Sequence, residues 1–330
     1  MIREPPAPNC YQWYDDRFKV SINPNLEKER GTPNLDILSS PRRIYDFLDS
    51  KVAGNDEMKR TISCAIYSKY ALNIAGGHGL FIGNSGTGKS FIFSVLSKIV
   101  PVVEMDSSQM SASSYKGTCR ITNGLDLLCE KTNSYSPKGI VVYDEWDKLL
   151  EKHGKFGIEG EVLRLMDGGE VFIGPDTPSP FNPNRLCNCK DVTFFFCGTF
   201  ATLGRDRPKH SLGFVTQEPD TKNKTLITKD DILESRGSLV SSEFLGRLSF
   251  IECTEPMTAD KIRYVLSSEK YSPIAKLSEK YHIQLNLTDD TSERLCTLGE
   301  HYGLRGVTNE ITRIINQRIF EDETISSINI

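Results

Sequence analysis

The sequence predicts an α/β fold with a parallel β-sheet and a smaller, mostly helical region at its C-terminal end. Short apolar runs at 79–82, 139–145 and 191–200 are typical of buried strands, and helical patterns lie between them. Strands that alternate with helices form parallel sheets with both faces covered. Beyond about residue 254 the pattern becomes helical, as in 306–320, where apolar residues recur along one face.

We expect three segments along the chain. An irregular extension rich in Pro and Asn covers 1–40, a large α/β domain covers 41–254, and a small helical domain covers 255–330. The sequence contains no internal repeat, which excludes a repeat architecture.

The large domain is expected to open with a helix after residue 55. Met58, Ile62, Ile66 and Tyr70 recur every four residues, which is the spacing of one helix face. Asn55 precedes this pattern and is the predicted N-cap, a position where a short polar side chain accepts a bond from a free helix N–H group. Two acidic residues follow it, at the positive end of the helix dipole.

The composition is that of an ordinary globular protein, with 38% hydrophobic and 25% charged residues in a chain of 330. The formal net charge of −4 gives no sign of the basic face that direct nucleic-acid binding requires. No apolar run approaches the roughly 20 residues of a membrane span, and the first residues lack the apolar core of a signal peptide. We therefore expect a cytoplasmic protein with no membrane partner and no direct nucleic-acid partner.

Nine cysteines are scattered along the chain, several of them in apolar contexts. An odd, scattered set in a chain of this size indicates reduced, buried thiols, as in cytosolic proteins. Cys187 and Cys189 form the only close pair in the sequence. A zinc site at this pair would need a second pair with ligand spacing, which the sequence lacks.

A glycine-rich motif follows the first predicted strand. The run GNSGTGKS at 83–90 matches G-x-x-x-x-G-K-[ST] at every fixed position and precedes a predicted helix, a context that disfavours a chance glycine-rich turn. Its glycines let backbone N–H groups turn inward toward phosphate, and the helix adds partial positive charge at its N-terminus. Lys89 is expected to reach the β- and γ-phosphates, and the hydroxyl of Ser90 to bind Mg²⁺. The expected nucleotide contacts are Gly83, Asn84, Ser85, Gly86, Thr87, Gly88, Lys89 and Ser90.

Two adjacent carboxylates end the second predicted strand. The run GIVVYDE at 139–145 places Asp144 and Glu145 directly after four apolar residues, as in a Walker B motif. Asp144 is expected to hold Mg²⁺ through its water shell, and Glu145 to orient and deprotonate the attacking water. The motif therefore predicts nucleotide hydrolysis as well as binding, and disfavours an acidic strand end that only begins a loop.

With both motifs in place, the chain resembles the ClpX-like ATPases of the AAA+ class. Residues 40–60 are similar to the segment that opens the ClpX ATPase module, where a V-x-G-[QN] element borders the adenine; here Val52 and Ala53 begin that element. The run YDEWDK is similar to the family's I-D-E-I-D-K. The runs SSEFLGRLSF (241–250) and GLRG (303–306) resemble its P-E-F-[IL]-G-R-L-P box and its sensor-2 turn.

The resemblance implies an AAA+ P-loop αβα sandwich with a small helical domain, assembled as a ring homo-oligomer, a hexamer in the family, with ATP and Mg²⁺ as cofactors. Arg247 would be the arginine finger that reaches the ATP of the neighbouring subunit and stabilises charge in phosphoryl transfer; a surface arginine in a salt bridge is the alternative. Arg305 is the candidate sensor-2 residue, while the usual family position falls on Tyr302. Either Arg305 substitutes from a shifted position or the sensor is lost. Thr199 is the candidate for sensor 1.

The resemblance also assigns residues that contact a protein substrate. The run SSYKGT at 113–118 falls where the family carries an aromatic pore loop, so Tyr115, Lys116 and Gly117 would grip a translocating chain. Lys116 departs from the usual apolar neighbour of the tyrosine. The alternative is a tyrosine that packs locally within its loop.

A polar, turn-forming stretch at 207–224 carries large apolar side chains in its middle. ClpX-like subunits have a [LIV]-G-[FL] tripeptide at this place that docks on a ClpP-type peptidase, so Leu212, Gly213 and Phe214 would form a docking element. Several copies on a ring act together by avidity although each copy buries little area. The alternative is that Leu212 and Phe214 pack on their own domain.

The leading hypothesis is an ATP-driven unfoldase and translocase that delivers protein substrates to a ClpP-type peptidase. One alternative is a stand-alone remodeller of protein or nucleoprotein assemblies. Another is a nucleotide-gated scaffold with little turnover, which the presence of Glu145 and Arg247 disfavours. The family's N-terminal four-cysteine zinc domain is expected to be absent, because Cys10 is the only cysteine before residue 64. Of the family's properties, the choice of protein substrate is therefore the one that carries over least to this chain.

Overall fold

The computed structural model describes residues 34–110, 119–153, 155–175, 183–203, 227–234 and 239–330. The strands in these ranges are β1 (Gly79–Ile82), β2 (Val102–Asp106), β3 (Gly139–Asp144), β4 (Glu170–Ile173), β5 (Arg185–Asn188), β6 (Val192–Gly198), β7 (Phe250–Cys253), β8 (Gln284–Asn286) and β9 (Ser327–Asn329). The helices are α1 (Leu35–Leu38), α2 (Pro41–Asp49), α3 (Asp56–Tyr70), α4 (Lys89–Leu96), α5 (Asn123–Thr132), α6 (Trp146–His153), α7 (Lys155–Met166), α8 (Lys229–Glu234), α9 (Ser242–Arg247), α10 (Ala259–Ser267), α11 (Pro273–Tyr281) and α12 (Asp289–Glu321).

A five-stranded, all-parallel sheet with the order β2-β3-β6-β1-β7 lies at the centre of the chain. Strand β6 separates β1 from β3, and the register sets Phe81 beside Cys197 and Val142 beside Phe195. Because all five strands run in one direction, their C-terminal ends meet at one edge. The loop after β1 and the acidic residue that ends β3 therefore come together there.

The sheet is buried on both faces, as its nearly continuous apolar strands require. Leu80 and Ile82 contact one hydrophobic cluster, formed with α5, α6 and α7, whereas Phe81 contacts the other, formed with α2, α3 and α4. Phe81 also meets Phe195 edge-on, with ring centroids 5.4 Å apart. Successive side chains of a strand point to opposite faces, so one apolar run supplies both clusters.

The turn between α2 and α3 is held by a buried lysine. Lys59 is fully buried, and its Nζ lies 2.6 Å from Asp49 Oδ1 and 2.8 Å from Asp56 Oδ1. The same Nζ donates to the carbonyl oxygen of Val52 at 3.3 Å. A buried ammonium group needs such partners, and here they fix the turn that carries Val52 and Ala53.

Helix α3 follows the predicted apolar spacing, but its N-cap differs from the expectation. Asn55 occupies the N-cap position with φ 56° and makes no side-chain capping bond. Glu255 accepts from the N–H of Asp56 instead, at 3.1 Å. The Asn55 amide is free for other partners because a residue distant in sequence takes the capping role.

The chain is helical within one stretch that the sequence predicted to be irregular. Residues Leu35–Leu38 form α1, which begins after Asn34, and the N–H of Ile37 bonds to Asn34 Oδ1 at 3.4 Å. Residues 1–33 lie outside the described residues. The boundaries of the three proposed segments stay a prediction.

The C-terminal region forms a third hydrophobic cluster from α10, α11, α12 and the short parallel pair β8–β9. Helix α12 is kinked at Gly303, where φ is 66° and ψ is −171°. Polar contacts tie this region to the rest of the chain: Lys261 Nζ lies 2.6 Å from Glu255 Oε2, just after β7, and at the end of α2 the Asp49 carbonyl accepts from the hydroxyl of Tyr271 at 2.8 Å. The predicted fold, a parallel α/β sheet followed by a helical region, is confirmed.

No helix in the described ranges is both long enough and apolar enough to cross a membrane.

Candidate active site

A cavity of about 820 Å³ lies between the C-terminal edge of the sheet and the C-terminal helical region. This volume is within the usual range for pockets that hold small molecules. The sheet side contributes Val52, Ala53, Ser85, Gly86, Thr87, Gly88, Lys89, Ser90, Glu104, Asp144, Glu145, Asp147 and Thr199. The helical side contributes Met257, Val265, Tyr271, Leu277, Leu304, Arg305 and Thr308, among others. Most of the predicted nucleotide contacts thus line one cavity.

The loop between β1 and α4 has the backbone conformation that its glycines allow. Gly86 has φ 82° and Gly88 has φ 95°, values that favour glycine. Lys89, at the start of α4, is 7% exposed, and its Nζ donates to the carbonyl oxygens of Asn84, at 2.9 Å, and of Gly83. Burial lowers the pKa of Lys89 from its ordinary value. The ammonium group therefore lies inside the loop, and its hydrogen-bond partners among the described residues are neutral carbonyl oxygens.

The first two residues of the motif lie away from the main cavity. Gly83 and Asn84 line a second, smaller cavity of about 310 Å³, next to Thr254. A side chain at Gly83 would overlap Thr254, which explains the glycine at this position. Their role in the described site is to supply the carbonyl groups that bond Lys89.

The two Walker motifs meet at the end of β3. Ser90 Oγ donates to Asp144 Oδ2 at 2.8 Å, and the other Asp144 oxygen accepts from the N–H of Glu145 at 2.9 Å. Glu145 has φ 56°, a left-handed conformation that is costly for a residue with a side chain. Its carboxylate forms an ion pair with Lys148, with Oε2 and Nζ 2.7 Å apart. The sharp turn at Glu145 directs this carboxylate to the cavity beside Asp144.

Glu104, on β2, is a lining residue that the sequence did not predict. The pKa of its carboxyl is raised to about 6, mainly by burial and also by the charge of Asp144, against the opposing charge of Lys131. Carboxyl groups on adjacent parallel strands repel when both are ionised. A cation at this edge of the sheet would relieve that repulsion.

The oxygen atoms at this edge fit Mg²⁺. The Ser90 hydroxyl and the Asp144 carboxylate are hard oxygen ligands, and Mg²⁺ in nucleotide sites takes few protein ligands because phosphates and waters supply the others. No group of three or more His, Cys, Asp or Glu side chains in the described part of the chain is arranged to hold a metal ion.

Asn55 is a further residue of the site that was not predicted. Its Nδ2 donates to the carbonyl of Thr87 at 2.8 Å, and its Oδ1 accepts from the N–H of Glu255 at 3.0 Å. The residue therefore joins the glycine-rich loop to the segment that leads into α10. The sequence predicted Asn55 as the N-cap of α3 and as the last residue of the V-A-G-N element. Neither signal predicts hydrogen bonds to two segments that are distant in sequence.

The helical side of the cavity carries Arg305. Within the described part of the chain, Arg305 has no ion-pair partner, and it lines the cavity. The usual sensor-2 position falls on Tyr302, which does not line the cavity. Tyr302 is 65% exposed to solvent. The arrangement brings Arg305, and not Tyr302, to the cavity.

Arg247 lies outside this cavity, at the end of α9. It forms a bidentate pair with Asp167: Nε is 2.7 Å from Oδ1, and NH2 is 2.9 Å from Oδ2. The hydrogen bond from Arg247 lowers the pKa of the Asp167 carboxyl. The Arg247 side chain is 34% exposed, so the guanidinium group is held in place at the surface of its own chain.

The two predicted protein-contact sites lie outside the described residues. These are the pore loop of Tyr115, Lys116 and Gly117 and the docking tripeptide of Leu212, Gly213 and Phe214. Both stay predictions.

The parallel sheet, the glycine-rich loop after β1 and the C-terminal helical region are those of an AAA+ α/β fold. Comparison with known proteins shows which individual proteins the chain is similar to. The ClpX 2 ATP-binding subunit of the Clp protease of Wolinella succinogenes is 26% identical over 318 residues, which cover 86% of this chain and 78% of the relative. The ClpX subunits of Bacteroides thetaiotaomicron and Porphyromonas gingivalis are 25% and 23% identical and cover 87% and 92% of this chain.

No protein-family model matches the chain. The pairwise similarity nevertheless extends along most of its length and along most of each relative. The chain is thus ClpX-like, and the resemblance inferred from its motifs is confirmed.

Proposed function

We propose that the chain is a ClpX-type ATPase subunit that uses ATP hydrolysis to unfold and translocate proteins, and that it delivers them to a ClpP-type peptidase. The observation that carries the proposal is the meeting of Lys89, the Ser90–Asp144 pair and Glu145 in one cavity of nucleotide size. The names of the relatives, ATP-binding subunits of the ATP-dependent Clp protease, support the same nucleotide and the same kind of partner.

In the proposed reaction, backbone N–H groups of the glycine-rich loop and Lys89 bind the phosphate oxygens. Lys89 exchanges two neutral carbonyl partners for anionic oxygens, and charge-assisted bonds are the stronger ones. Mg²⁺ held by Ser90 and Asp144 would supply positive charge at the β- and γ-phosphates. Val52 and Ala53 line the part of the cavity that would hold the base.

Glu145 accepts the proton of the attacking water, and its position follows from the strained turn after β3. Lys148 holds the carboxylate at the cavity through their ion pair. Arg305 of the same chain and Arg247 of the neighbouring subunit in a ring would stabilise charge on the transferred phosphoryl group. Tyr115, Lys116 and Gly117 would grip the protein substrate, and Leu212, Gly213 and Phe214 would dock on the peptidase. These last two assignments rest on the sequence motifs.

Turnover tests the ATPase part of the proposal. The wild-type protein should hydrolyse ATP, and Glu145→Gln should keep ATP binding while losing turnover by about 100-fold or more, because it removes the base without altering the phosphate contacts. Lys89→Ala should lose ATP binding itself. Normal turnover in Glu145→Gln would contradict the assigned mechanism.

Binding of the peptidase tests the delivery part and needs no known substrate. The Glu145→Gln protein, assembled with ATP, should bind a ClpP-type peptidase, and Phe214→Ala should abolish that binding. Phe320→Ala is the matched control, since Phe320 is 90% exposed on α12 and belongs to no proposed site. Absence of binding by protein that assembles with ATP would contradict delivery to a peptidase.

A further inference from the structure

Asp147 is the second residue of α6, two positions after Glu145, and it bonds to the end of a different strand. Its Oδ2 accepts three hydrogen bonds: from the N–H of Thr199 at 3.2 Å, from Thr199 Oγ1 at 2.9 Å and from the N–H of Phe200 at 2.8 Å. Thr199 and Phe200 directly follow β6, the strand that lies between β1 and β3. One carboxylate oxygen thus holds the end of β6 to the beginning of α6.

The other oxygen of the same carboxylate has no hydrogen-bond partner among the described residues. Asp147 is only 3% exposed and lines the nucleotide-sized cavity together with Asp144 and Glu145. A buried carboxylate oxygen without a partner costs free energy. A residue needed only to support the fold would gain from a neutral side chain here, so the carboxylate indicates a role at the cavity.

The backbone near Asp147 is strained at two places. Glu145 has φ 56° and Phe200 has φ 51°, although both carry large side chains, and Phe200 is fully buried. Left-handed conformations of such residues persist when the surrounding structure holds them, and they cluster at functional sites. Asp147 bonds the strained Phe200 directly and lies in the first turn of the helix that follows the strained Glu145. It therefore connects both strained turns.

An acidic residue in the first turn of a helix often stabilises only the helix dipole. Asp147 differs from that case in its partners. Its three described bonds go to the chain after β6 and none goes to the N–H groups of its own helix. A dipole role would also be met by an exposed side chain, as it is by Asp260 in the first turn of α10, whose side chain is 92% exposed.

We infer that Asp147 is a positioning residue for ATP hydrolysis, because it holds the hydroxyl of Thr199 in place at the edge of the sheet where Glu145 also lies. The inference rests on the proposed ATPase function and adds a residue to it. Thr199 and Glu145 directly follow the neighbouring strands β6 and β3, and both line the cavity. Loss of the bond would let the end of β6 move relative to the catalytic carboxylate without removing any phosphate contact.

Two substitutions separate positioning from charge. Asp147→Asn keeps one oxygen that can accept from Thr199 and Phe200, whereas Asp147→Ala removes the connection. Misplacement by about 1 Å can cost about 100-fold in rate, so we expect kcat to fall by about 100-fold in Asp147→Ala and by much less in Asp147→Asn. The dissociation constant for ATP should stay within about threefold in both, because the phosphate contacts remain. Asp260→Asn is the control for a first-turn acid and should leave kcat unchanged.

A third variant tests the partner. Thr199→Val removes the hydroxyl but keeps the N–H groups, so its kcat should fall less than that of Asp147→Ala. The variant that carries both Asp147→Ala and Thr199→Val should have a kcat no lower than that of Asp147→Ala alone, because the two residues act through one contact. Amide exchange of Phe200 should be faster in Asp147→Ala than in Asp147→Asn.

Turnover of Asp147→Ala within about threefold of the wild type would overturn the inference and leave the proposed ATPase intact. Parallel losses of ATP binding, kcat and melting temperature would also overturn it, since they would indicate a structural role. Wild-type protein that binds ATP without hydrolysing it would overturn the proposed ATPase function and the inference together.

Discussion

His78 is a buried histidine just before β1, and both of its ring nitrogens are bonded to backbone. Its Nε2 donates to the carbonyl of Met166 at 3.0 Å, and its Nδ1 accepts from the N–H of Phe194 at 3.1 Å. Only the neutral ring can do both, because Nδ1 must stay unprotonated to accept. The pKa of His78 is lowered to about 4, mainly by burial and also by the nearby charge of Lys69. The ring therefore joins three parts of the sheet and helix layers as a neutral group.

We expect this histidine to make stability depend on pH. The folded pKa of about 4 lies below the unfolded value of about 6.5, so the unfolded state binds more protons between these values and stability falls as the pH drops through this window. Between about pH 7.5 and about pH 5 the loss should be about 2 kcal/mol. Urea unfolding at the two pH values measures it.

The matched variant for this test is His78→Gln, whose amide can donate and accept but does not titrate. It should show a smaller loss over the same pH interval, whatever its stability near neutral pH. An equal pH dependence in the wild type and in His78→Gln would show that other groups, such as the carboxylates in ion pairs, account for the change.

At the scale of elements, the kink of α12 brings the C-terminal region against the glycine-rich loop. Gly303 has φ 66° and ψ −171°, a conformation that is essentially restricted to glycine. A Cβ atom at Gly303 would overlap the carbonyl of Gly86, and a Cβ atom at Gly86 would come within 2.6 Å of the carbonyl oxygen of Tyr302. Two backbones are therefore in direct contact at one wall of the cavity, next to Arg305.

We expect Gly303→Ala to be destabilising and to weaken ATP binding. The strained conformation alone should cost about 1–3 kcal/mol, and the overlap with the loop should push the two walls of the cavity apart. Thermal unfolding and ATP titration measure the two effects. The control is Gly160→Ala in α7, where a Cβ atom would meet no atom within 4 Å and alanine should stabilise the helix slightly. Unchanged ATP affinity in Gly303→Ala would contradict a role of this contact in the site.

At the scale of the whole molecule, the position of Arg247 bears on assembly. Its guanidinium group is held by Asp167 at the surface and is not among the residues that line the cavity in the described part of its own chain. A surface ion pair adds little stability, typically below about 1 kcal/mol. A bidentate pair does fix orientation, which would suit a group that acts on a neighbouring subunit.

A mixing experiment should detect such action between subunits. Arg247→Ala and Glu145→Gln proteins should each be nearly inactive alone, because one lacks the finger and the other lacks the base. Their mixture should regain ATPase activity, since a Glu145→Gln subunit can supply Arg247 to a neighbour that still has Glu145. Arg263→Ala, which loses a surface ion pair with Asp260, should keep its activity.

The outcome distinguishes the two roles of the arginine. A mixture that stays inactive, although both variants assemble, would contradict an arginine finger and leave Arg247 as a surface residue of the Asp167 pair. Asp167→Asn should reduce turnover less than Arg247→Ala, because it loosens the guanidinium group without removing it.

Much of the fold and part of the site could be predicted because the signals are local. Buried parallel strands are apolar at every position, so β1, β3 and β6 were recognisable from short runs. The glycine-rich loop is one contiguous segment, and the two carboxylates are adjacent in sequence. Helix α1 was missed because four residues barely exceed one turn and give no period.

Other features of the site follow from tertiary structure alone. Asn55 bonds the N–H of Glu255 across 200 positions, Arg247 pairs with Asp167 across 80, and Asp147 bonds the chain after β6 across 52 or more. Asn55 occupies the predicted N-cap position, but its side chain makes no capping bond, and Glu255 provides the capping oxygen instead. Such contacts depend on the order of the strands in the sheet, on the kink of α12 and on which segments lie together at the ends of the strands. Sequence determined the residue types and the nucleotide motifs, whereas packing decided their partners, because contacts between distant residues exist only once the sheet and its covering helices have assembled.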